Sequence, residues 1–231
     1  MLKYISALCV LLSLFCSDVS AAEIIPIEHA SFVIKGDDLT VMVDPVGDVS
    51  HYVPFRMVDV ILITHEHADH LDADLVRLLR RPYTVILGPE SVIDKLGFGY
   101  VLKNGENRKT KGITVTAVPA YNTTAERLEY HPQGRDNGYV LDIQGERIYV
   151  SGDTEDIPEM RSLTGIDKAF VCMNLPYTMT VQQAASAVLE FKPHTVYPYH
   201  YRGQDGFSDL DKFKKLVSKD NDIKVEVLKW Y

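Results

Sequence analysis

The sequence predicts an α/β fold in which two β-sheets pack face to face between outer helices, a four-layer αββα sandwich. Strand-like apolar segments dominate the first half of the chain, and strands alternate with helices in the second half. No linker, internal repeat or low-complexity segment interrupts this pattern. Length and pattern together therefore predict one domain with a sizeable core over residues 23–231.

Residues 1–22 are typical of a secretory signal peptide. Lys3 supplies a positive charge, and the apolar run over residues 4–16 is too short for a membrane span. The small residues 20–22 suit cleavage. Lipidation at Cys16 is the alternative, although the aromatic residue before it does not suit such a site. We therefore expect an exported protein, either periplasmic or secreted.

Cysteine usage and charge limit the function classes. Two of the three cysteines lie in the predicted signal peptide, so Cys172 alone remains and the mature chain cannot form an internal disulfide. Its apolar surroundings, residues 169–173, favour a buried hydrophobic role over a nucleophile. The net charge of −8 argues against nucleic acid as a partner. We expect a small-molecule substrate and no membrane span in the mature chain, with the oligomeric state left open.

In the first half, turn residues separate the predicted strands. Gly36, Asp37 and Asp38 form a hairpin turn, a helix over residues 72–81 stops at Pro82, and a short helix over residues 90–96 ends at a glycine. The predicted strands cover residues 23–27, 31–35, 39–43, 58–64, 83–87 and 112–119.

In the second half, strands and helices alternate. A helix over residues 180–191 begins with Thr180 and Gln183 in a capping-box pattern and ends before Pro193. A second helix covers residues 208–217. The predicted strands cover residues 138–143, 147–151, 169–173, 195–199 and 223–228.

The chain's densest group of chemically active side chains follows the buried strand over residues 58–64. The segment from Thr64 to Leu71 reads Thr-His-Glu-His-Ala-Asp-His-Leu, and its imidazoles and carboxylates suit zinc, iron or manganese. His65 and His67 project to the same side because strand side chains alternate. Asp69 and His70 can turn back toward a second metal. A solvated charged turn is the alternative, but such turns rarely carry this ligand pattern.

Other strand ends offer further ligands. Asp153 follows Gly152 at the end of a predicted strand, and its carboxylate could bridge two cations; capping of the next segment is the alternative. His200 ends another strand and is expected to be a ligand because the other ligands are present. Asp44 ends a third strand and is expected to orient a ligand rather than touch metal.

These motifs resemble those of the metallo-β-lactamase superfamily, over residues from about 24 to the end of the sequence. Residues 27–32, 151–160 and 176–184 further resemble the branch that contains L-ascorbate-6-phosphate lactonase. The resemblance implies an αββα fold and a binuclear site, with zinc at two positions and Mn²⁺ or Fe²⁺ as alternatives. It places His65 and His67 on the first metal, Asp69, His70 and His200 on the second, and Asp153 between them.

One position departs from the family pattern. The family usually carries a third histidine for the first metal after Pro-Ala-x, but here Pro119 and Ala120 precede Tyr121 and Asn122. His131 is the nearest replacement. Either it binds the first metal, or it contacts substrate or solvent and the first metal keeps an open, water-filled position.

The resemblance favours a metal-dependent hydrolase in which a metal-bound hydroxide attacks a small ester, lactone or phosphodiester. Asp69 is expected to hold the nucleophile and accept its proton, and Tyr121 and Asn122 are expected to contact substrate. An iron-dependent oxidoreductase on the same scaffold and a non-catalytic metal-binding protein are the alternatives. Export argues against a sugar-phosphate lactone, which we would expect in the cytoplasm.

Overall fold

The computed structural model describes residues 21–231, so nearly all of the predicted signal peptide lies outside the described residues. The first sheet contains six strands that follow one another in sequence order. They are β1 (Glu23–Glu28), β2 (Ser31–Lys35), β3 (Thr40–Val43), β4 (Val60–Leu62), β5 (Val85–Gly88) and β6 (Tyr100–Val101). The first three strands are antiparallel, whereas β3 to β6 run parallel.

The second sheet is also mixed and contains seven strands. The remaining strands of the chain are β7 (Asn107–Thr110), β8 (Ile113–Ala120), β9 (Asp136–Ile143), β10 (Glu146–Val150), β11 (Lys168–Val171), β12 (Thr195–Pro198), β13 (Arg202–Gly203), β14 (Gly206–Phe207) and β15 (Lys224–Val225). The sheet order is β15-β12-β11-β10-β9-β8-β7, and β13 and β14 form a separate hairpin. The strands β10, β11 and β12 run parallel, so their carboxyl ends meet at one edge.

The structure contains five short α-helices within the described residues. They are α1 (Ala73–Leu79), α2 (Glu90–Leu96), α3 (Pro158–Arg161), α4 (Val181–Phe191) and α5 (Leu210–Val217), with 3₁₀ turns at Val49–Phe55 and Ala125–Arg127. The predicted capping box is confirmed, because Thr180 and Gln183 each bond the backbone of the other. Within residues 21–231, no helix has the length and apolar character that a membrane span requires.

Strand β4 shows how the layers form. Val60 and Leu62 belong to the larger core between the sheets, whereas Ile61 belongs to a smaller core beneath α1 and α2. Side chains alternate along a strand, so each face of the first sheet buries its own set. Across the larger core, the rings of Phe32 and Phe170 stack with centroids 4.3 Å apart. Helices α4 and α5 cover the outer face of the second sheet, and the predicted αββα sandwich is confirmed.

The structure contains elements that the sequence pattern does not predict. Strand β7 has the polar sequence Asn-Arg-Lys-Thr at the edge of its sheet, where no apolar alternation is needed. Strand β6, helix α3 and the hairpin of β13 and β14 are also unpredicted, because each is only two to four residues long. The predicted strand over residues 223–228 is shorter in the structure, where Lys224–Val225 alone pairs with β12.

Candidate metal centre

The candidate site forms where strands of both sheets end at one edge of the sandwich. Asp44 follows β3, and the histidine-rich segment follows β4, in the first sheet. Asp153 and His200 follow β10 and β12 in the second sheet. A Cβ at Gly152 would lie 2.6 Å from the Asn137 carbonyl oxygen, so glycine is required for the close turn before Asp153.

Seven predicted ligands converge at this edge, together with His29. Three groups have ligand atoms within 4.8 Å of one another. The groups are His65, His67 and His131; His65, His70 and Asp153; and His29, Asp69 and His200. The loop between β8 and β9 therefore brings His131 to the position next to His65 and His67, where the family pattern expects a third histidine.

Asp153 lies between the groups and is only 3% exposed. Its Oδ2 is 3.5 Å from His131 Nε2 and 3.4 Å from His200 Nε2, and its Oδ1 is 3.5 Å from His70 Nε2. One carboxylate thus faces histidines from both predicted metal positions. This is the geometry that a bridging ligand needs.

Three of the histidines are held by hydrogen bonds from Nδ1. His70 Nδ1 is 2.8 Å from Asp44 Oδ2, and His131 Nδ1 is 3.0 Å from Asp136 Oδ2. His65 Nδ1 is 3.0 Å from the Thr64 hydroxyl, which itself donates to Asp44. Because these bonds place a proton on Nδ1, each ring presents the Nε2 lone pair to the site. Asp44 therefore orients a histidine, as the sequence suggests.

The polar atoms that face the site fit a metal. His65 Nε2, His70 Nε2 and Asp153 Oδ1 are buried and have no hydrogen-bond partner within the described part of the chain. Leaving such groups unsatisfied costs about 1–3 kcal/mol each, so buried polar atoms are normally paired. Bare imidazole nitrogens beside a buried carboxylate are the donor set of a Zn²⁺, Mn²⁺ or Fe²⁺ site.

The imidazoles of the cluster differ in the direction in which the protein shifts their pKa values. Burial holds the pKa of His65 well below its ordinary range. Burial also opposes the charged forms of His70 and His200, but the Asp153 carboxylate overcomes it and raises both pKa values, that of His200 to about 9. Burial would raise the pKa of Asp153, yet the adjacent His200 and His70 hold it well below its ordinary range. In the metal-free protein, protons therefore concentrate on the imidazoles beside Asp153.

Asp69 lies at the mouth of the site, and its side chain is 48% exposed. It lines a cavity of about 450 Å³ together with His29, His200 and Asn174. Its Oδ2 is 3.2 Å from His29 Nε2 and 3.5 Å from His200 Nε2. Burial opposes ionisation, but the bonds from His200 and His29 hold the pKa of Asp69 below its ordinary range. Substrate can therefore reach an ionised carboxylate beside the second ligand group.

The sequence prediction did not include Asn174, which follows β11 at the same edge. Its Oδ1 accepts a 2.5 Å hydrogen bond from the Thr178 hydroxyl. The amide Nδ2 therefore faces the site, 3.5 Å from Asp153 Oδ2 and 3.4 Å from His200 Nε2. In the sequence, its position after a buried strand of the parallel set is the feature that indicates a place at this edge.

Tyr121 and Asn122, the two residues predicted to contact substrate, do not line the cavity beside Asp69. The Tyr121 hydroxyl donates to Glu159 at 3.0 Å, and Tyr121 is only 8% exposed. Asn122 donates from Nδ2 to the backbone oxygens of Arg127 and Tyr177 and is also buried. Tyr121 Oη and Asn122 Nδ2 thus have protein partners, whereas Asn122 Oδ1 is buried and has no hydrogen-bond partner within the described part of the chain. The expected contact of these two residues with substrate stays a prediction.

Asn122 also helps to shape the loop that carries His131. Its backbone N–H donates to the His131 carbonyl oxygen at 2.8 Å. The buried carboxylate of Glu155 anchors the same loop, with 2.7 Å bonds from the backbone N–H groups of Thr123 and Thr124 and a 2.5 Å bond from Arg127. These long-range bonds hold the loop against the strand end at Asp153.

The other titratable residues of interest lie outside the cluster. His51 and His194 lie at the surface, with side chains that are 49% and 79% exposed. Cys172 is fully buried, and burial raises the pKa of its thiol to about 12. A thiol in this environment is not a nucleophile at neutral pH.

Comparison with known proteins shows the family of this chain. Residues 23–200 match the family model of the β-lactamase superfamily domain. The chain belongs to this superfamily. A UPF0173 metal-dependent hydrolase from Pyrococcus abyssi is 33% identical over 215 residues, which cover 87% of this chain and 93% of the relative.

Two solved structures share the fold. A proposed metal-dependent hydrolase from Parabacteroides distasonis is 44% identical, with a TM-score of 0.82 and coverage of 91% of this chain and 94% of that chain. Igni18, a metallo hydrolase from Ignicoccus hospitalis, is 23% identical, with a TM-score of 0.76 and coverage of 90% and 95%. The resemblance to the metallo-β-lactamase superfamily is thus confirmed, and the relatives support a metal-dependent hydrolase.

Proposed function

We propose that this chain is a binuclear metal-dependent hydrolase that acts on small ester, lactone or phosphodiester substrates. The observation that carries the proposal is the position of Asp153, whose carboxylate lies between two groups of histidines with unpaired ligand atoms. The group of His29, Asp69 and His200 lines a cavity of about 450 Å³, which suits a small molecule. The hydrolase relatives support the same reaction class.

The proposed ligand sets follow from the geometry. His65, His67 and His131 would hold one cation, and Asp69, His70 and His200 the other, with Asp153 shared. Zinc is the metal that this donor set suits best, and manganese and iron are the alternatives. A bound pair of such cations supplies Lewis acidity and activates water at neutral pH.

The chain's own residues have distinct proposed roles. The contacts of Asp69 with His29, His70 and His200 all involve Oδ2, so Oδ1 can orient a water molecule and accept its proton. Asn174 Nδ2 points into the cavity and can donate a hydrogen bond to the oxygen on which charge develops.

The test combines metal analysis of the purified full chain with a panel of chromogenic substrates. We expect about two metal equivalents and hydrolysis of at least one p-nitrophenyl ester, lactone or bis-p-nitrophenyl phosphate. His67→Ala should lower turnover by about 100-fold or more, because it removes a direct metal ligand. Loss of a mere hydrogen-bond partner of a ligand typically lowers metal affinity or activity by about 10- to 100-fold. His194→Ala, which changes an exposed histidine outside the site, is the control.

Stoichiometry tests the bridge. Asp153→Asn should weaken both metal positions because a neutral amide bridges cations poorly, whereas His200→Ala should deplete mainly one. Equal loss of one equivalent in both variants would contradict the bridging role. Full activity and unchanged metal content in His67→Ala would contradict the hydrolase itself. Bound iron with oxygen consumption and no hydrolysis would favour the oxidoreductase alternative.

A further inference from the structure

His29 occupies a conformation that ties three parts of the chain together. It lies in the turn between β1 and β2 with a φ of +54°, in the left-handed region that residues other than glycine rarely adopt. Its backbone N–H donates to the Trp230 carbonyl oxygen at 3.2 Å, and its carbonyl accepts from the His200 N–H at 3.3 Å. The turn is thus fixed between the last residues of the chain and a predicted ligand.

The His29 side chain connects Tyr231 to Asp69. Its Nε2 is 3.2 Å from Asp69 Oδ2, and its Nδ1 is 2.7 Å from the Tyr231 hydroxyl. An ionised carboxylate can only accept, so Nε2 carries the proton and donates. In a neutral ring, Nδ1 then accepts, and the Tyr231 hydroxyl donates.

Aromatic packing fixes the direction of the Tyr231 hydroxyl. The Tyr231 ring lies 5.1 Å from the ring of Tyr201 and 5.0 Å from that of Phe207, and the Arg202 guanidinium lies 4.9 Å above it. The preceding residue, Trp230, is 1% exposed in the core between the sheets. The hydroxyl is therefore held in place before any ligand binds.

We propose that Tyr231 and His29 are positioning residues that orient the Asp69 carboxylate toward the second metal position. The proposal rests on the binuclear site proposed above. An exposed aspartate in a turn has several rotamers, and a donor on one oxygen selects among them. Hydrogen-bond partners of metal ligands commonly change metal affinity by about 10- to 100-fold.

The competing explanation is that His29 is itself a ligand, since its ring lies in the group with Asp69 and His200. The two explanations require different tautomers. A positioning His29 carries its proton on Nε2, whereas a ligand that uses Nε2 must carry the proton on Nδ1 and donate to the Tyr231 oxygen.

Long-range ¹H–¹⁵N NMR of the histidine rings reads the tautomer directly, in the full chain with Zn²⁺ and after removal of metal. We expect the His29 proton on Nε2 in both states. A proton on Nδ1 in the Zn²⁺ form would overturn the proposal. The metal-free spectrum tests the hydrogen bonds even if the binuclear hydrolase proves wrong, so the two failures can be told apart.

Titration with Co²⁺ measures the consequence for the metal. Tyr231→Phe removes only the hydroxyl, and we expect it to weaken the second equivalent by about 10-fold while the first is unchanged. His29→Asn, which tolerates the left-handed backbone, should weaken the second equivalent at least as much. Tyr201→Phe removes a hydroxyl from the same aromatic cluster and should match the wild type.

Two outcomes of the titration would overturn the proposal. Tyr231→Phe that binds both equivalents with wild-type affinity would show that the hydroxyl has no positioning role. Complete loss of the second equivalent in His29→Asn, with Tyr231→Phe unchanged, would identify His29 as a ligand. A parallel weakening in both variants, with a shifted Co²⁺ absorption band, would support positioning.

Discussion

The histidines around Asp153 predict that the metal-free protein becomes less stable as the pH rises through neutrality. Asp153 Oδ2 is 3.4 Å from His200 Nε2, and both side chains are almost fully buried. Burial opposes the charge on His200, but the carboxylate overcomes it and raises the pKa of His200 from 6.5 to about 9. The folded protein therefore binds a proton more tightly than the unfolded chain does.

The sign and size of the effect follow from this difference. A group whose pKa is raised by folding contributes its full stabilisation below the unfolded pKa of about 6.5 and loses it as the pH rises to about 9. At 1.36 kcal/mol per pKa unit, the free energy of unfolding should fall by about 3 kcal/mol across this window. His70, whose pKa is also raised against the effect of burial, acts in the same direction.

Urea unfolding of metal-stripped protein at several pH values between 6.5 and 9 measures the effect. Asp153→Asn should flatten the pH dependence, because the carboxylate that raises the pKa is gone. His194→Gln removes an exposed imidazole and should keep the wild-type slope. A free energy of unfolding that stays constant or rises over this range in the wild type would refute the reasoning. Metal affinity should change in the opposite sense, since the cation competes with the same protons.

The supporting contacts of the site give two further predictions. Asp44→Ala removes the 2.8 Å bond to His70 Nδ1, so Zn²⁺ competition with a chelator should show affinity about 10- to 100-fold lower; unchanged affinity would exclude an orienting role. Glu155→Ala leaves the Arg127 guanidinium without its buried partner, so the free energy of unfolding should fall by about 3 kcal/mol, with faster hydrogen exchange over residues 121–135; protection equal to wild type would contradict anchoring by Glu155.

The sequence predicts those parts of the site that depend on local pattern. Strand β4 is a continuous apolar run, and the ligands of the segment from Thr64 to Leu71 follow it. Because these ligands are neighbours in sequence, the sequence alone predicts that they lie close together. Asp153 and His200 are predictable as strand ends, because parallel strands place their carboxyl ends at one edge of a sheet.

Other parts of the site depend on contacts between distant residues. The position of His131 depends on bonds from a loop to Glu155 and Asp136, which no spacing rule encodes. The contact of His29 with Tyr231 joins residues 202 positions apart. The same limit applies to Asn122, because its neighbours in sequence do not reveal that its Nδ2 donates to the backbone oxygens of Arg127 and Tyr177.

The candidate site takes its ligands from both sheets. The segment after β4 belongs to the first sheet, whereas Asp153 and His200 belong to the second. Cations bound as proposed would therefore act as cross-links that close long chain loops, an effect worth about 5 kcal/mol for a loop of about 100 residues in the chain-entropy model. The described residues contain a single cysteine, so no disulfide within them can link the two sheets. The stability of the fold would instead depend on the metal available to the protein. Chelation would therefore destabilise the sandwich as well as stop turnover.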